Sequence, residues 1–157
     1  MTITSNDFLT STGFKLTLDS SQFPGINCTI QSVNIPSLSI GGDGMYATPY
    51  RTIPLPGDTY NFDPLTVTMI LKHDMANYIA VKDWMTQCIE TEDDPLRDKT
   101  SDIRISVFNN KNNLTKTFVF VTAFPSDLGT ITFNITDASD DYITVDVTFQ
   151  YAYFTIE

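Results

Sequence analysis

From Ile143 to Tyr153 every second residue is apolar. Ile143, Val145, Val147, Phe149, Tyr151 and Tyr153 alternate with Thr144, Asp146, Thr148, Gln150 and Ala152. A period of two puts one set on each face of a strand and suits no helix. At about 3.3 Å per residue the run spans roughly 40 Å, longer than the usual 3–10-residue strand. Such a strand needs a large sheet. Shorter alternations run through the rest of the chain: Phe14, Leu16 and Leu18; Ile26, Cys28 and Ile30; Leu65, Val67, Met69 and Leu71; Ile103, Ile105 and Val107; Ile131, Phe133 and Ile135. Thr117 to Thr122 is denser in apolar residues, as in a strand buried on both faces. The polar partner is often one of 23 threonines, a residue that fits a pleated, half-wet surface. Only Asp74 to Ile89 breaks the period. Val81, Trp84, Met85 and Cys88 fall at helical spacing, Asp74 can cap the start, and Pro95 lies beyond the end. The expectation is a mainly β protein, an antiparallel sandwich or barrel with one flanking helix.

No internal repeat or domain boundary interrupts the 157 residues, so 1–157 reads as one domain. It carries an N-terminal arm at 1–12, a long loop at 42–57 and a helix at 74–89. The loop is set off by Gly42, Gly44, Pro49, Pro54 and Gly57, yet its centre holds Met45, Tyr46, Tyr50, Ile53 and Leu55. A solvated loop has no need of so many large apolar groups. They pack either on their own domain or on a neighbour, and a neighbour is the expectation.

Charge excludes several classes. Nine Lys and Arg against 19 Asp and Glu leave −10. That balance opposes a phosphate-binding surface and an anionic membrane surface, both of which need basic clusters. No apolar run nears the ~20 residues that span a bilayer, so no membrane partner is expected. Met1 to Thr12 has neither the basic nor the apolar region of a signal peptide.

Catalytic chemistry finds little support. His73 is the one histidine, with no Ser or Cys partner at a recognisable spacing. Cys28 and Cys88 read as buried thiols, being neither a CxxC pair nor a disulfide framework. No glycine pattern signals a nucleotide cradle. The acids Glu90, Glu92, Asp93 and Asp94 lack the calcium-loop pattern, and Asp140–Asp141 read as turn residues. The sequons at Asn27, Asn113 and Asn134 are expected by chance in so Asn- and Thr-rich a chain. The residues therefore point to a binding or assembly protein with no catalytic site, metal or cofactor.

Three segments carry a resemblance. Ile53 to Met69 reads Ile-Pro-Leu-Pro-Gly-Asp-Thr-Tyr-Asn-Phe-Asp-Pro-Leu-Thr-Val-Thr-Met and is followed by a helix that carries Lys82-Asp83-Trp84. Gln31 to Pro36 reads Gln-Ser-Val-Asn-Ile-Pro. Phe124 to Ile131 reads Phe-Pro-Ser-Asp-Leu-Gly-Thr-Ile. In this order, and ending in a long Val, Thr and aromatic strand, the chain resembles the tail tube proteins of contractile-tailed, T-even-type bacteriophages. The architecture is similar to the tube of type VI secretion systems. The resemblance covers nearly all of the chain outside Glu90–Ser101 and the first twelve residues.

The resemblance implies a structural virion protein, assembled in the bacterial cytoplasm. Its partners would be itself, as homohexameric rings that stack into a tube, the tail sheath protein, and baseplate and tail terminator proteins. DNA would pass through the channel without specific binding. A single-ring tube initiator or tube terminator is the alternative within the same fold, and a carbohydrate-binding or adhesin-like sandwich is the alternative outside it. On the tube reading, the C-terminal strand and a hairpin partner at Thr130–Thr136 build the sheet core. Asp146, Thr148 and Gln150 face a lumen or solvent. Tyr46, Tyr50, Arg51 and Asp58 contact other subunits or rings, with Tyr46 and Tyr50 covering their own core as the competing expectation. The arm Thr2–Leu9 orders on assembly.

Overall fold

The computed structural model describes residues 9–18, 30–42, 44–90, 99–135 and 142–157. Its strands are β1 (Leu9–Leu18), β2 (Ile30–Asn34), β3 (Leu38–Gly41), β4 (Gly44–Ala47), β5 (Thr52–Leu55), β6 (Thr59–Phe62), β7 (Leu65–Ile70), β8 (Ser101–Asn109), β9 (Leu114–Leu128), β10 (Thr144–Gln150) and β11 (Tyr153–Ile156). One helix, α1, spans Ala76–Glu90. Every strand pairing is antiparallel. The fold is mainly β with one flanking helix, as the alternation requires.

The main sheet runs β1-β8-β9-β10-β7-β2, with β11 also beside β9. The C-terminal alternation is split at Tyr151–Ala152, yet β10 and β11 lie along β9 in one register. Gln150 opposes Phe124, Tyr153 opposes Val121, and Ile156 opposes Phe118. The Ala152 N–H donates to the Val121 carbonyl at 3.0 Å, which carries the ladder across the break.

The two halves of β9 have different outer neighbours. Its first half pairs β8 up to Ala123, and its second half has only β10. At the junction Thr122 has φ of 57°, a left-handed conformation costly for a β-branched residue. The Asp102 carboxylate holds it there by accepting from the Thr122 N–H at 3.1 Å.

One expectation is corrected. Thr130–Thr136 is not the hairpin partner of the final strand. Residues 130–134 form no strand and belong to no sheet, and Thr136 lies outside the described residues. The strand β9 already occupies that edge of β10, and the Gly129 N–H makes the last bond to it, to the Asp146 carbonyl at 2.7 Å. Residues 19–29, which include Cys28 and most of the run centred on it, are outside the described set, as are 91–98, Asp140–Asp141 and the arm 1–8.

Core residues come from alternate strand positions: Leu65, Val67 and Met69; Ile103 and Ile105; Phe120; Val145, Val147 and Phe149. Val81 and Trp84 of α1 close it, with the Trp84 ring 5.9 Å from that of Phe149. The Trp84 indole N–H donates to the Lys99 carbonyl at 2.9 Å. The start of α1 is fixed twice. Asp74 accepts from the Ala76 N–H at 3.1 Å, which with the nearby His73 and Lys72 charges holds its carboxyl below the ordinary value. Buried Asn77 donates to the Ile70 carbonyl at 2.8 Å, tying helix to sheet.

Asp102→Ala is expected to lower unfolding free energy by about 1–2 kcal/mol, because the Thr122 N–H loses its acceptor. Thr122→Gly in that background should recover about 1 kcal/mol by relieving the left-handed strain. Urea denaturation of the two variants checks both signs.

Candidate functional site

The stretch between β2 and β7 is a two-stranded ribbon, not a loop. Asn34 opposes Thr66, Leu38 opposes Phe62, Gly41 opposes Thr59, Gly44 opposes Leu55 and Ala47 opposes Thr52. The pairing extends that of β2 with β7 and slips by one residue between Gly41 and Gly44. Glycine is required at that slip. Gly42 has φ of 86°, and a Cβ on Gly57 would collide with the Gly41 carbonyl oxygen. From Leu38 to Ala47 the ribbon runs ten residues, about 33 Å.

The ribbon leaves the sheet where two prolines meet. Pro36 and Pro64 fall opposite each other in the register, and neither has an N–H to donate. One backbone bond, from the Asp63 N–H to the Ser37 carbonyl at 3.3 Å, and several side chains secure the root. The Ser37 hydroxyl donates to the Asp63 carboxylate. The Tyr151 hydroxyl donates to the Asp63 carbonyl at 2.7 Å. The Phe62 ring lies 6.0 Å from Tyr151 and 5.8 Å from Phe154, and Phe120 lies 4.9 Å from Tyr151.

Beyond that root the ribbon has no core. Leu38 and Ile40 pair with Phe62 and Tyr60 on one side, Ser39 and Gly41 with Asn61 and Thr59 on the other. Leu38, Ile40 and Tyr60 are exposed, Tyr60 at 66%. Farther out, Tyr46 faces Ile53 and Met45 faces Pro54, and all of β4 and β5 is exposed. The tip Thr48–Arg51 is closed by the Thr48 N–H on the Arg51 carbonyl at 3.0 Å and the Arg51 N–H on the Thr48 hydroxyl at 3.1 Å. It presents Tyr50, 96% exposed. An isolated two-stranded ribbon is marginal in water, and one with this much uncovered apolar area fits a contact surface.

Tyr46, Tyr50 and Arg51 therefore share the distal ribbon and do not cover their own core. Asp58 stands apart, at the slip. Leu38, Ile40 and Tyr60 were not singled out from sequence. Their signal was there: an alternation in Leu38–Ile40 mirrored in Tyr60–Phe62.

The second surface is the face of the sheet opposite the core. Thr144, Asp146 and Thr148 of β10 stand beside Ile70, Thr68 and Thr66 of β7, with Ser32 and Asn34 of β2 next to those threonines. Gln150 faces Phe124, and Thr148 faces Asp127. The Thr68 hydroxyl donates to the Asp146 carboxylate at 2.6 Å. This places Asp146, Thr148 and Gln150 on one face, lined by hydroxyls, amides and two carboxylates together with the apolar Ile70 and Phe124. Those strands contribute no Lys or Arg to it.

Among the described residues no group of three or more His, Cys, Asp or Glu is placed to hold a metal ion. His73 is exposed in the turn before α1. Burial raises the Cys88 thiol above its ordinary value, which opposes reactivity. No described helix is long and apolar enough to cross a membrane.

No protein-family model matches the chain. The tail tube terminator protein of Enterobacteria phage T4 is 28% identical over 134 residues, 81% of this chain and 76% of that protein. Among solved structures, the sheath/tube terminator of the PVC extracellular contractile injection system in its extended state superposes with TM-score 0.68 at 18% identity, over 96% of each chain. These similarities are to terminator proteins of contractile tails and contractile injection systems. The tube-terminating cap of the anti-feeding prophage gives TM-score 0.64 at 19% identity over 100% of this chain and 99% of that one. Hcp1 from Flavobacterium johnsoniae gives 0.56 at 13% over 95% and 94%. The chain thus shares the fold of tube and tube-terminator proteins of contractile injection systems.

Burial, and after it the Asp63 carboxylate, raises the Tyr151 phenol above its ordinary value. The folded chain then keeps this proton where the unfolded chain has lost it. The stabilisation is fully present below about pH 10 and is lost as pH rises through the raised folded value. Tyr151→Phe is expected to flatten that alkaline loss. At neutral pH it should cost about 1 kcal/mol for the missing bond to Asp63. Thermal unfolding from pH 7 to 11 separates the two effects.

Proposed function

We propose that the chain forms a single six-membered ring that terminates a phage tail tube within a contractile sheath. The observation that carries this reading is the half-sheet β9-β10-β7-β2. It is polar on its outer face and, among the described residues, unpaired at both edges, β2 and Phe124–Leu128 of β9. A sheet with two free edges is removed from aggregation when the edge of one copy pairs with that of the next around a ring. Six copies joined so would line a channel with Asp146, Thr148, Gln150 and the threonines of β7. Termination is preferred over the main tube by the likeness to the T4 tail tube terminator protein, the PVC terminator and the anti-feeding prophage cap. A main tube subunit is the second reading, favoured by the likeness to a PVC sheath–tube complex, with TM-score 0.66 at 18% identity over 96% of this chain and 91% of that one.

The partners follow: further copies, the last tube ring, the sheath, and DNA that passes without being held. The protein would be a component of the virion, assembled in the host cytoplasm. The ribbon reaches a neighbouring subunit or ring, with Tyr46, Tyr50 and Arg51 as its contacts, residue types that dominate interface energetics when buried. Asp58 sits nearer the root and would contact only a closer neighbour. The arm Thr2–Leu9 would order on assembly.

Electron microscopy and sedimentation of the purified chain decide among these. Isolated six-fold rings are expected. Long tubes would support the main tube reading instead, and a 17.6 kDa species at every concentration would remove both. Tyr46→Ser with Tyr50→Ser is expected to weaken ring formation at least tenfold with circular dichroism unchanged. Rings of a Thr66→Lys, Thr148→Lys variant are expected to retain short duplex DNA in a salt-dependent way, whereas native rings let it pass in an electrophoretic shift.

A further inference from the structure

Oxygen transfer turns the flexible apolar side chain of a methionine into a polar one, so the placement of the sulfur atoms decides what an oxidant changes. Met45 of β4 is 70% exposed. The other sulfur atoms among the described residues are better covered. Met69 is 1% exposed in the core, and Met75 and Met85 are half-buried. The Cys88 thiol is half-buried too and donates to the Lys99 carbonyl at 3.4 Å. Burial keeps it protonated, whereas the thiolate is the reactive form.

The ribbon gives that one exposed atom its importance. Neighbours along a strand point to opposite faces. Tyr46 therefore shares one face with Ile53, while Met45 shares the other with Pro54, followed by Ala47 with Thr52. On the Met45 face Pro54 is a rigid ring, and Ala47 and Thr52 are small. The Met45 thioether is the long, adaptable apolar group there. The core is built without it, and β4 and β5 are exposed at every position.

We propose that Met45 is an oxidation-controlled contact of the assembled ring: peroxide converts its thioether to the sulfoxide, and the modified chain no longer assembles. The inference rests on the ring reading and extends the ribbon's contact to the face opposite Tyr46. The step is a two-electron oxidation. The O–O bond of hydrogen peroxide breaks, an S=O bond forms on Met45, and water leaves. The new oxygen is a hydrogen-bond acceptor, and burying it without a donor is unfavourable. The free chain folds as before, because the Met45 side chain already stands in water. In the assembled ring the sulfur is covered, so the same peroxide reaches it more slowly. Methionine sulfoxide reductases reverse the change.

Mild hydrogen peroxide on the purified chain tests the switch. Peptide mass spectrometry is expected to find the first added oxygen on Met45, ahead of Met69, Met75, Met85 and Cys88. Sedimentation of that chain is expected to show at least a tenfold rise in the concentration needed for rings, with circular dichroism unchanged. The two reductases, one for each sulfoxide epimer, should restore the native value. A Met45→Leu chain, compared with itself before and after the same treatment, is expected to shift less than twofold. This control covers Met1 and Cys28, which lie outside the described residues. In preformed rings Met45 is expected to oxidise at least tenfold more slowly than in the free chain. Rings formed as readily by the Met45 sulfoxide chain, equal oxidation rates in rings and free chain, or a Met45→Leu chain that loses assembly on treatment as the native chain does, would overturn the switch and leave the ring reading standing. A native chain that never associates overturns both.

Discussion

The ladder between β9 and the C-terminal strand organises the molecule. It holds one register from Gln150 opposite Phe124 to Ile156 opposite Phe118, across a break at Tyr151–Ala152. Because β9 runs 15 residues, the ladder is long enough to serve two half-sheets. One half carries β8 and β1, the other β10, β7 and β2. The core residues Phe120, Val147 and Phe149 are all set by it, and so is the position of Trp84, which packs on Phe149. The root of the ribbon depends on it too, since Phe62 packs on Tyr151 and Phe154.

Much of this was legible because strands with one wet face write their period into the sequence. The runs Leu65–Leu71 and Ile103–Val107 each gave a strand with the expected side buried, whereas Ile143–Tyr153 gave two strands, β10 with the expected side buried and β11 beginning at an exposed Tyr153. The helix was legible for the converse reason: Val81 and Trp84 break the period of two and meet the core together. Two segments were misread, and each shows a limit of periodicity. Ile131, Phe133 and Ile135 have the right side chains, but pairing needs a free edge, and β9 had taken it. Gly42 to Gly57 has turn residues throughout, yet alternation resumes on both sides of Thr48–Arg51 and a ribbon forms. Local composition reports what a strand can do; the supply of edges decides what it does.

The charge of the chain also gains a location. Of 19 acidic residues, ten fall outside the described residues, against one of nine basic residues, Arg97. The described body is therefore close to neutral. On its polar sheet face the only charges on the β10, β9 and β7 positions noted above are the carboxylates of Asp146 and Asp127. A wall of hydroxyls and amides with two acids and no base offers phosphate little to hold.

The facing prolines at the base of the ribbon have a mechanical consequence. At that level neither strand supplies an N–H, so the ribbon can swing there as a rigid body without breaking a backbone bond. Its aim is held instead by a phenol on a backbone carbonyl, one carboxylate contact and a few aromatic rings. Side chains of this kind can be exchanged one at a time. Related chains can thus point the same ribbon at different neighbours by altering Phe62 or Tyr151, with the strands and their register left untouched.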